Sequence, residues 1–150
     1  MKQEWNVYLS GEIHTEWRDE IRSGVEATGL PVRFAGPVLD HEASDLVGVR
    51  ILGDESDSFW RDRKGSGING IRTLSQLRQA DLVVVRFGPK YRQWNAAFDA
   101  GFAAALGKPV ITLHDEELDH ALKEVDSWAR ATARTPKQVV EILEYVMSGG

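Results

Sequence analysis

Leu82-Val-Val-Val-Arg-Phe87 is the stretch that decides the fold. It is a nearly unbroken apolar run, dense in β-branched residues, as expected of a strand buried on both faces. The chain after it, from Tyr91 to Leu106, reads as the strongest helix and is closed by Gly107. Pro109-Val-Ile-Thr-Leu113 then reads as another strand. A buried strand, a helix and a second buried strand form the parallel crossover unit of an α/β protein.

The same alternation extends in both directions. Trp5 to Ser10 reads as a first strand. Thr15 is placed to cap a helix that runs to about Thr28, with Trp17, Ile21 and Val25 as its buried stripe. Gly29 ends that helix, and Pro31 to Ala35 gives a short second strand. Residues 36–70 are polar and glycine-rich and read as a long irregular loop holding short helical pieces around Ala43–Leu52 and Asp57–Asp62. Ile71 to Gln79 reads as a helix, His114 to Leu122 as a short one, and Ser127 to Thr132 as an edge strand. Pro136 to Met147 reads as a final helix with Thr135 as its cap and proline in its first turn. The expectation is one domain over residues 1–150. Its fold is a flavodoxin-like, doubly wound, five-stranded parallel sheet with helices on both faces. In such sheets ligands bind outside the carboxyl ends of the strands, at the topological switch point.

Composition narrows the function. The 150 residues contain no cysteine, which removes disulfides, thiolate metal sites and thiol nucleophiles and fits a reducing compartment such as the cytoplasm. The N-terminus enters a strand directly, and no apolar run approaches the roughly 20 residues that span a bilayer, so neither a secretory leader nor a membrane segment is expected. A net charge of −5 with scattered basic residues argues against polymeric nucleic acid as a ligand, though not against a small nucleotide.

Three segments carry candidate chemistry. Ser10-Gly-Glu-Ile-His-Thr15 follows the first strand: Gly11 permits a tight turn, and Glu12 and His14 offer a carboxylate and an imidazole just before a helix. The plain alternative is a solvated loop acid and a helix-entry histidine. In the helix after Phe87, Phe98, Phe102 and Ala105 read as the face packed on the sheet, while Arg92, Asn95 and Asp99 recur on another. The plain alternative for Asp99 is a surface acid favoured by the helix dipole. The middle segment offers Phe59-Trp60-Arg61-Asp62, two large aromatics in polar surroundings that call for a cover: the core, a neighbouring subunit or a nucleobase. Asp40-His41-Glu42 lacks metal-ligand spacing, so no metal is expected. No phosphate-binding loop, dinucleotide fingerprint or nucleophile elbow occurs, and no cofactor is implied.

Ala80-Asp-Leu-Val-Val-Val85, Phe98-Asp-Ala-Gly-Phe-Ala103 and Gly107-Lys-Pro-Val-Ile111 together resemble the nucleoside 2-deoxyribosyltransferase superfamily. Val7-Tyr-Leu-Ser-Gly-Glu-Ile-His14, Trp17-Arg18, Arg61-Asp62, Lys90-Tyr91 and Gln93-Trp-Asn95, with shorter matches between, resemble its YtoQ family over nearly the whole length. The transferases use a motif glutamate as nucleophile on the anomeric carbon, and Asp99 holds that position here. A carboxylate there traps or stabilises the positive charge that builds on the sugar as an N-glycosidic bond breaks. The resemblance implies a hydrolase or glycosyltransferase acting on a nucleoside or nucleotide. Its catalytic residues would be Asp99, Glu12 and Asn95, and its binding residues Gly11, His14, Arg61, Asp62, Tyr91, Arg92, Gln93 and Trp94. Glu12 or His14 would protonate the leaving base. It also implies a homo-oligomer. Aspartate is one methylene shorter than the motif glutamate, and Gln93 is neutral where the transferases carry an acid. Those departures motivate a second reading, a non-catalytic module that senses a nucleotide or sugar phosphate.

Overall fold

The computed structural model describes residues 3–149. In chain order the elements are β1 (Trp5–Gly11), α1 (Trp17–Thr28), β2 (Val32–Ala35), α2 (His41–Leu52), α3 (Ser58–Gln79), β3 (Leu82–Arg86), α4 (Trp94–Ala105), β4 (Val110–Leu113), a 3-10 turn (Glu116–Leu118), α5 (Lys123–Ser127), β5 (Ala131–Ala133) and α6 (Pro136–Met147). They form two compact units. One holds all five strands; the other is Gly36–Gln79.

In the sheet unit the strand order is β2-β1-β3-β4-β5, and every pair is parallel. This is the flavodoxin-like doubly wound order, with its switch point between β1 and β3. Asp81 pins the amino ends of those two strands: its carboxylate accepts from the Asn6 amide at 2.7 Å, and its own amide donates to the Asn6 carbonyl at 2.7 Å. The alternation of each strand separates two faces. Val7, Leu9, Leu82, Val84, Ile111 and Leu113 form one core with Trp17, Ile21 and Val25 of α1 and Val139, Val140 and Leu143 of α6. Gly24 lets those helices meet, since a Cβ there would lie 2.7 Å from a Val140 methyl.

The other face, with Tyr8, Ser10, Val83 and Val85, receives α4 through Ala96, Ala100 and Ala103. The expected face of Phe98, Phe102 and Ala105 is therefore wrong in phase, and Phe98 is 70% exposed. In a helix where every residue but Asn95 and Asp99 is apolar or glycine, hydrophobicity has no unique phase. The helix also begins at Trp94 rather than Tyr91, so Arg92 precedes it and shares no helical face with Asn95 and Asp99. Thr15 does not cap α1; Glu16 stands at the cap position without a side-chain bond. The expected edge strand lies later, at Ala131–Ala133, and the expected helix at His114 is divided between the 3-10 turn and α5. Thr135 caps α6 as read, accepting from the Gln138 amide at 3.3 Å.

The second unit holds the helix expected around Ala43–Leu52, joins the piece expected at Asp57–Asp62 to the helix expected at Ile71–Gln79, and so corrects the long irregular loop expected at residues 36–70. It is a pair of helices joined by a short turn. Asp40 caps α2 through the Ala43 amide at 3.1 Å, and Asp57 accepts from the Phe59 amide at 2.9 Å at the start of α3. The glycines that read as breakers include the helix contact itself: a Cβ on Gly48 would lie 2.4 Å from the Gly65 backbone nitrogen. Lys64 closes the hairpin, reaching the Gly53 carbonyl at 2.9 Å and Glu55 at 2.8 Å. Among the described residues, no helix is long and apolar enough to cross a membrane.

Leu9, fully buried between α1 and α6, should cost about 2–5 kcal/mol when cut to alanine. Ile51→Ala, at a position 67% exposed, should stay within about 0.5 kcal/mol. Urea unfolding curves of the two variants measure the contrast.

Candidate functional site at the switch point

At the carboxyl ends of β1 and β3 the backbones approach too closely for a side chain. Gly11 has φ +112°, and a Cβ there would sit 2.1 Å from the Arg86 carbonyl. The next amide, that of Glu12, donates to that carbonyl at 3.0 Å. Glu12 is thereby turned inward and buried. Its carboxylate accepts from the Thr15 amide at 2.7 Å, the Thr15 hydroxyl at 2.6 Å and the His14 amide. Gly88 makes room, because a Cβ there would stand 2.6 Å from the Glu12 side chain. Burial pushes the Glu12 carboxyl up, but these hydrogen bonds and the Arg86 charge outweigh it and hold it below the usual range. Glu12 is thus an ionised brace of the turn, which counts against the proton-donor role expected of it.

Arg18 of α1 secures the same turn from beneath. Its guanidinium donates to the Glu12 carbonyl at 2.6 Å, to Leu9 at 3.1 and 3.2 Å and to Gly11 at 3.2 Å, and it lies 4.5 Å from the Trp17 ring centroid. Burial brings its pKa down to about 10. The Trp17 indole donates to the Glu12 carbonyl at 2.7 Å. The Arg86 Nε is buried and has no hydrogen-bond partner among the described residues.

Asp99 comes to this edge from α4. The buried Ser10 hydroxyl donates to its Oδ2 at 2.7 Å, across the β1–α4 contact. Among the described residues Oδ1 has no hydrogen-bond partner. Burial raises the Asp99 pKa, and the Ser10 bond lowers it less than burial raises it. The result is a carboxylate held at one oxygen, with the other unengaged.

The loop between β3 and α4 supplies the remaining local candidates. Tyr91 has φ +64°, a left-handed conformation that costs a non-glycine residue about 1–3 kcal/mol. Its exposed ring lies 4.9 Å from that of His14, tilted by 47°. Gln93 staples the loop, accepting from the Gly88 amide at 3.2 Å and donating to the Lys90 carbonyl at 2.6 Å. The Arg92 guanidinium lies 5.6 Å from the Trp94 ring centroid. Asn95 is exposed. Ser10, Gly11, Glu12, Asp99, His14 and Tyr91 thus belong to one end of the sheet unit. Arg61 and Asp62 lie on α3 of the helical unit, where Arg61 donates to the Glu55 carbonyl at 3.0 Å. Phe59 and Trp60 pair edge to face at 5.1 Å and remain 65% and 56% exposed. Residue types alone did not single out Ser10 or Arg18; only the pleat of β1 and the phase of α1 reveal them.

The sequence also held no sign of a cluster after β4. His114, Asp119 and Asp126 offer ligand atoms within 4.8 Å of one another. The His114 Nε2 lies 2.8 Å from Asp126 and its Nδ1 2.9 Å from the Asp115 carbonyl, while Asp119 pairs with Arg134 at 2.6 Å. The Thr112 hydroxyl donates to Asp126 at 2.7 Å. The donors are turned on one another, so the cluster reads as a hydrogen-bonded clasp joining β4, α5 and the turn before α6.

The strand order defines a flavodoxin-like α/β protein, and the Ser10–Asp99 pair lies at its β1/β3 switch point. The family model described as nucleoside 2-deoxyribosyltransferase YtoQ matches residues 8–147, and the chain belongs to that family. It is 43% identical over 143 residues to YtoQ of Bacillus subtilis (strain 168), covering 95% of this chain and 97% of that one. Among solved structures, its fold is similar to that of a 2-deoxyribosyltransferase from Bacillus psychrosaccharolyticus, with TM-score 0.55, 17% identity and 90% of each chain covered. It is also similar to a conserved protein from Enterococcus faecalis V583, with TM-score 0.65, 13% identity, and 95% of this chain and 99% of that one covered.

Arg18→Met would strip the carbonyls of Leu9, Gly11 and Glu12 of their donors and should cost about 3 kcal/mol in chemical unfolding. Because the folded pKa of Glu12 is lowered, its contribution to stability is present above the unfolded carboxylate pKa and fades as pH falls through the folded value. Melting temperatures of Glu12→Gln should therefore fall less steeply with acid than those of the parent.

Proposed function

We propose that this protein cleaves the N-glycosidic bond of a nucleoside or nucleotide, by hydrolysis or by transfer of the sugar, with Asp99 as the reacting carboxylate. The observation that carries the reading is the Ser10–Asp99 hydrogen bond, which holds an acid of raised pKa at the switch point, at the position of the family's motif acid. Asp99 Oδ1 attacks the anomeric carbon, the carbon–nitrogen bond breaks, and its electron pair stays on the base nitrogen. The proton for that nitrogen comes from His14, since Glu12 is braced in its ionised form. Water or a second base then displaces Asp99 from the sugar. Attack requires the reacting atoms within about 3–3.5 Å, a reach the shorter aspartate meets only if the sugar sits close to α4. Tyr91 and His14 offer ring faces for the base, and Gly11 lets the ligand approach the backbone. Asn95, Arg92, Trp94 and the Gln93-stapled loop would border the sugar. We read the protein as cytoplasmic and homo-oligomeric, with no polymeric nucleic acid as ligand.

Binding without turnover is the second reading. The engagement of Glu12 favours it, because that bracing removes one of the two proton donors the chemistry would draw on.

A panel of nucleosides and 5′-monophosphates, followed by chromatography of the free base, tests the first reading. Asp99→Asn should lower release by ~100-fold or more, the scale of a missing catalytic group. The acid limb of the rate profile should lie above the ordinary aspartate range, and Ser10→Ala should move it higher by removing a bond that favours the ionised form. Calorimetric binding that survives Asp99→Asn, with no base released by either protein, would replace catalysis by sensing.

A further inference from the structure

Arg86 ends β3 one residue beyond the Ala80–Val85 motif, and its guanidinium makes no hydrogen bond or ion pair among the described residues. The side chain is half-buried, and its Nε is shut off from solvent. A buried N–H without an acceptor carries its full desolvation cost, so this one calls for an acceptor from outside the chain. The other guanidinium groups at this end of the sheet are engaged. Arg18 holds the carbonyls of Leu9, Gly11 and Glu12, and Arg134 pairs with Asp119. Glu12 lies near enough to feel the Arg86 charge, yet its oxygens are taken by the His14 amide and by the Thr15 amide and hydroxyl.

Strand alternation puts Arg86 on the α1 and α6 side of the sheet, with Leu82 and Val84, whereas Asp99 lies on the α4 side. The two positions are still neighbours across the end of the sheet. Arg86 is in register with Gly11, and Ser10, the residue before it, holds Asp99. Paired strands lie about 4.8 Å apart, and Gly11 has no side chain to stand between the two anchors.

We propose that Arg86 is an anion anchor of this site, binding the phosphate group of a phosphorylated nucleoside whose sugar rests against Asp99. The carrier of the phosphate rests on the glycosidic reading; the need for an anion rests on Arg86 alone. A guanidinium fork offers parallel N–H bonds that match the oxygens of a phosphate. The sugar of an unphosphorylated nucleoside gives it only hydroxyls. Held by its phosphate on one side of the strand ends, the ligand is drawn over Gly11 toward the short aspartate on the other. That draw supplies the close approach that Asp99 requires.

Calorimetry on Asp99→Asn reads binding without turnover. A nucleoside 5′-monophosphate should bind roughly 10–100-fold more tightly than the same nucleoside, the scale of hydrogen bonds to a charged group. Adding Arg86→Met should abolish that difference. Arg86→Lys, which keeps the charge and loses the fork, should retain only part of it. Circular dichroism checks that both variants fold. A measurement in the parent needs neither: sulfate should compete with the monophosphate more than chloride does at equal ionic strength, and should leave nucleoside binding alone. Equal affinity for monophosphate and nucleoside would overturn the proposal, as would a difference that survives Arg86→Met or a failure of every monophosphate to bind. Inorganic phosphate binding as tightly as the monophosphate would replace the nucleotide by the free ion. Base release is followed separately. Release without any phosphate preference removes Arg86 and leaves Asp99 standing; phosphate-dependent binding without release does the reverse.

Discussion

The parallel pairing of β1 with β3, drawn so tight at its carboxyl end that only glycine fits at position 11, is the constraint on which the rest of this site depends. Because the Gly11 Cα stands almost against the Arg86 carbonyl, the chain has to leave the strand at that point, and Glu12 turns inward rather than outward. An inward carboxylate is tolerable only if it is bonded on all sides. Thr15, the His14 amide and the Arg86 charge meet that demand, and Arg18 does the same for the carbonyls of the turn. A charged, buried and fully engaged turn is stiff, and stiffness at the end of β1 is what gives Ser10 a defined place from which to hold Asp99.

The second support is the smallness of one helix face. Ala96, Ala100 and Ala103 allow α4 to lie close on Val83, Val85 and Tyr8, close enough for a serine hydroxyl on the strand to reach a side chain as short as aspartate. The cost of that arrangement is that the large residues of α4 face outward, where they form an apolar seam. Site and seam are opposite consequences of the same alanine face.

The short motifs that mark the superfamily divide into different physical roles. Asp81 is a pin at the amino end of the sheet, far along the strands from the site. Gly107, at φ +75°, ends α4 in a left-handed turn, and the Pro109 carbonyl accepts from the Val83 amide at 3.0 Å as β4 begins. Only Asp99 among these residues combines half-burial, a raised pKa and, among the described residues, an unengaged oxygen. Membership of a family is thus carried largely by residues that build the sheet.

The sequence alone determined the strands, their parallel order and most of the helices, because those features follow from local periodicity: β-branched runs at Leu82–Arg86 and Val110–Leu113, an i, i+4, i+8 stripe in α1, a Thr-Pro start to α6. It also singled out Asp99, Glu12 and His14 as residues of one edge. The tertiary structure alone decided what each of them does. Glu12 became a brace because three donors converge on it, Gln93 a staple because its loop folds back, and Asp99 a held carboxylate because Ser10 lies across from it. The phase of α4 and the full extent of the helices in residues 36–70, which the sequence showed only as short pieces, were illegible for a related reason. An all-apolar helix has no preferred side, and a glycine reads as a breaker until another helix is seen lying against it. Pattern along a chain records which residues avoid water; which atoms they meet is set only when distant segments come together.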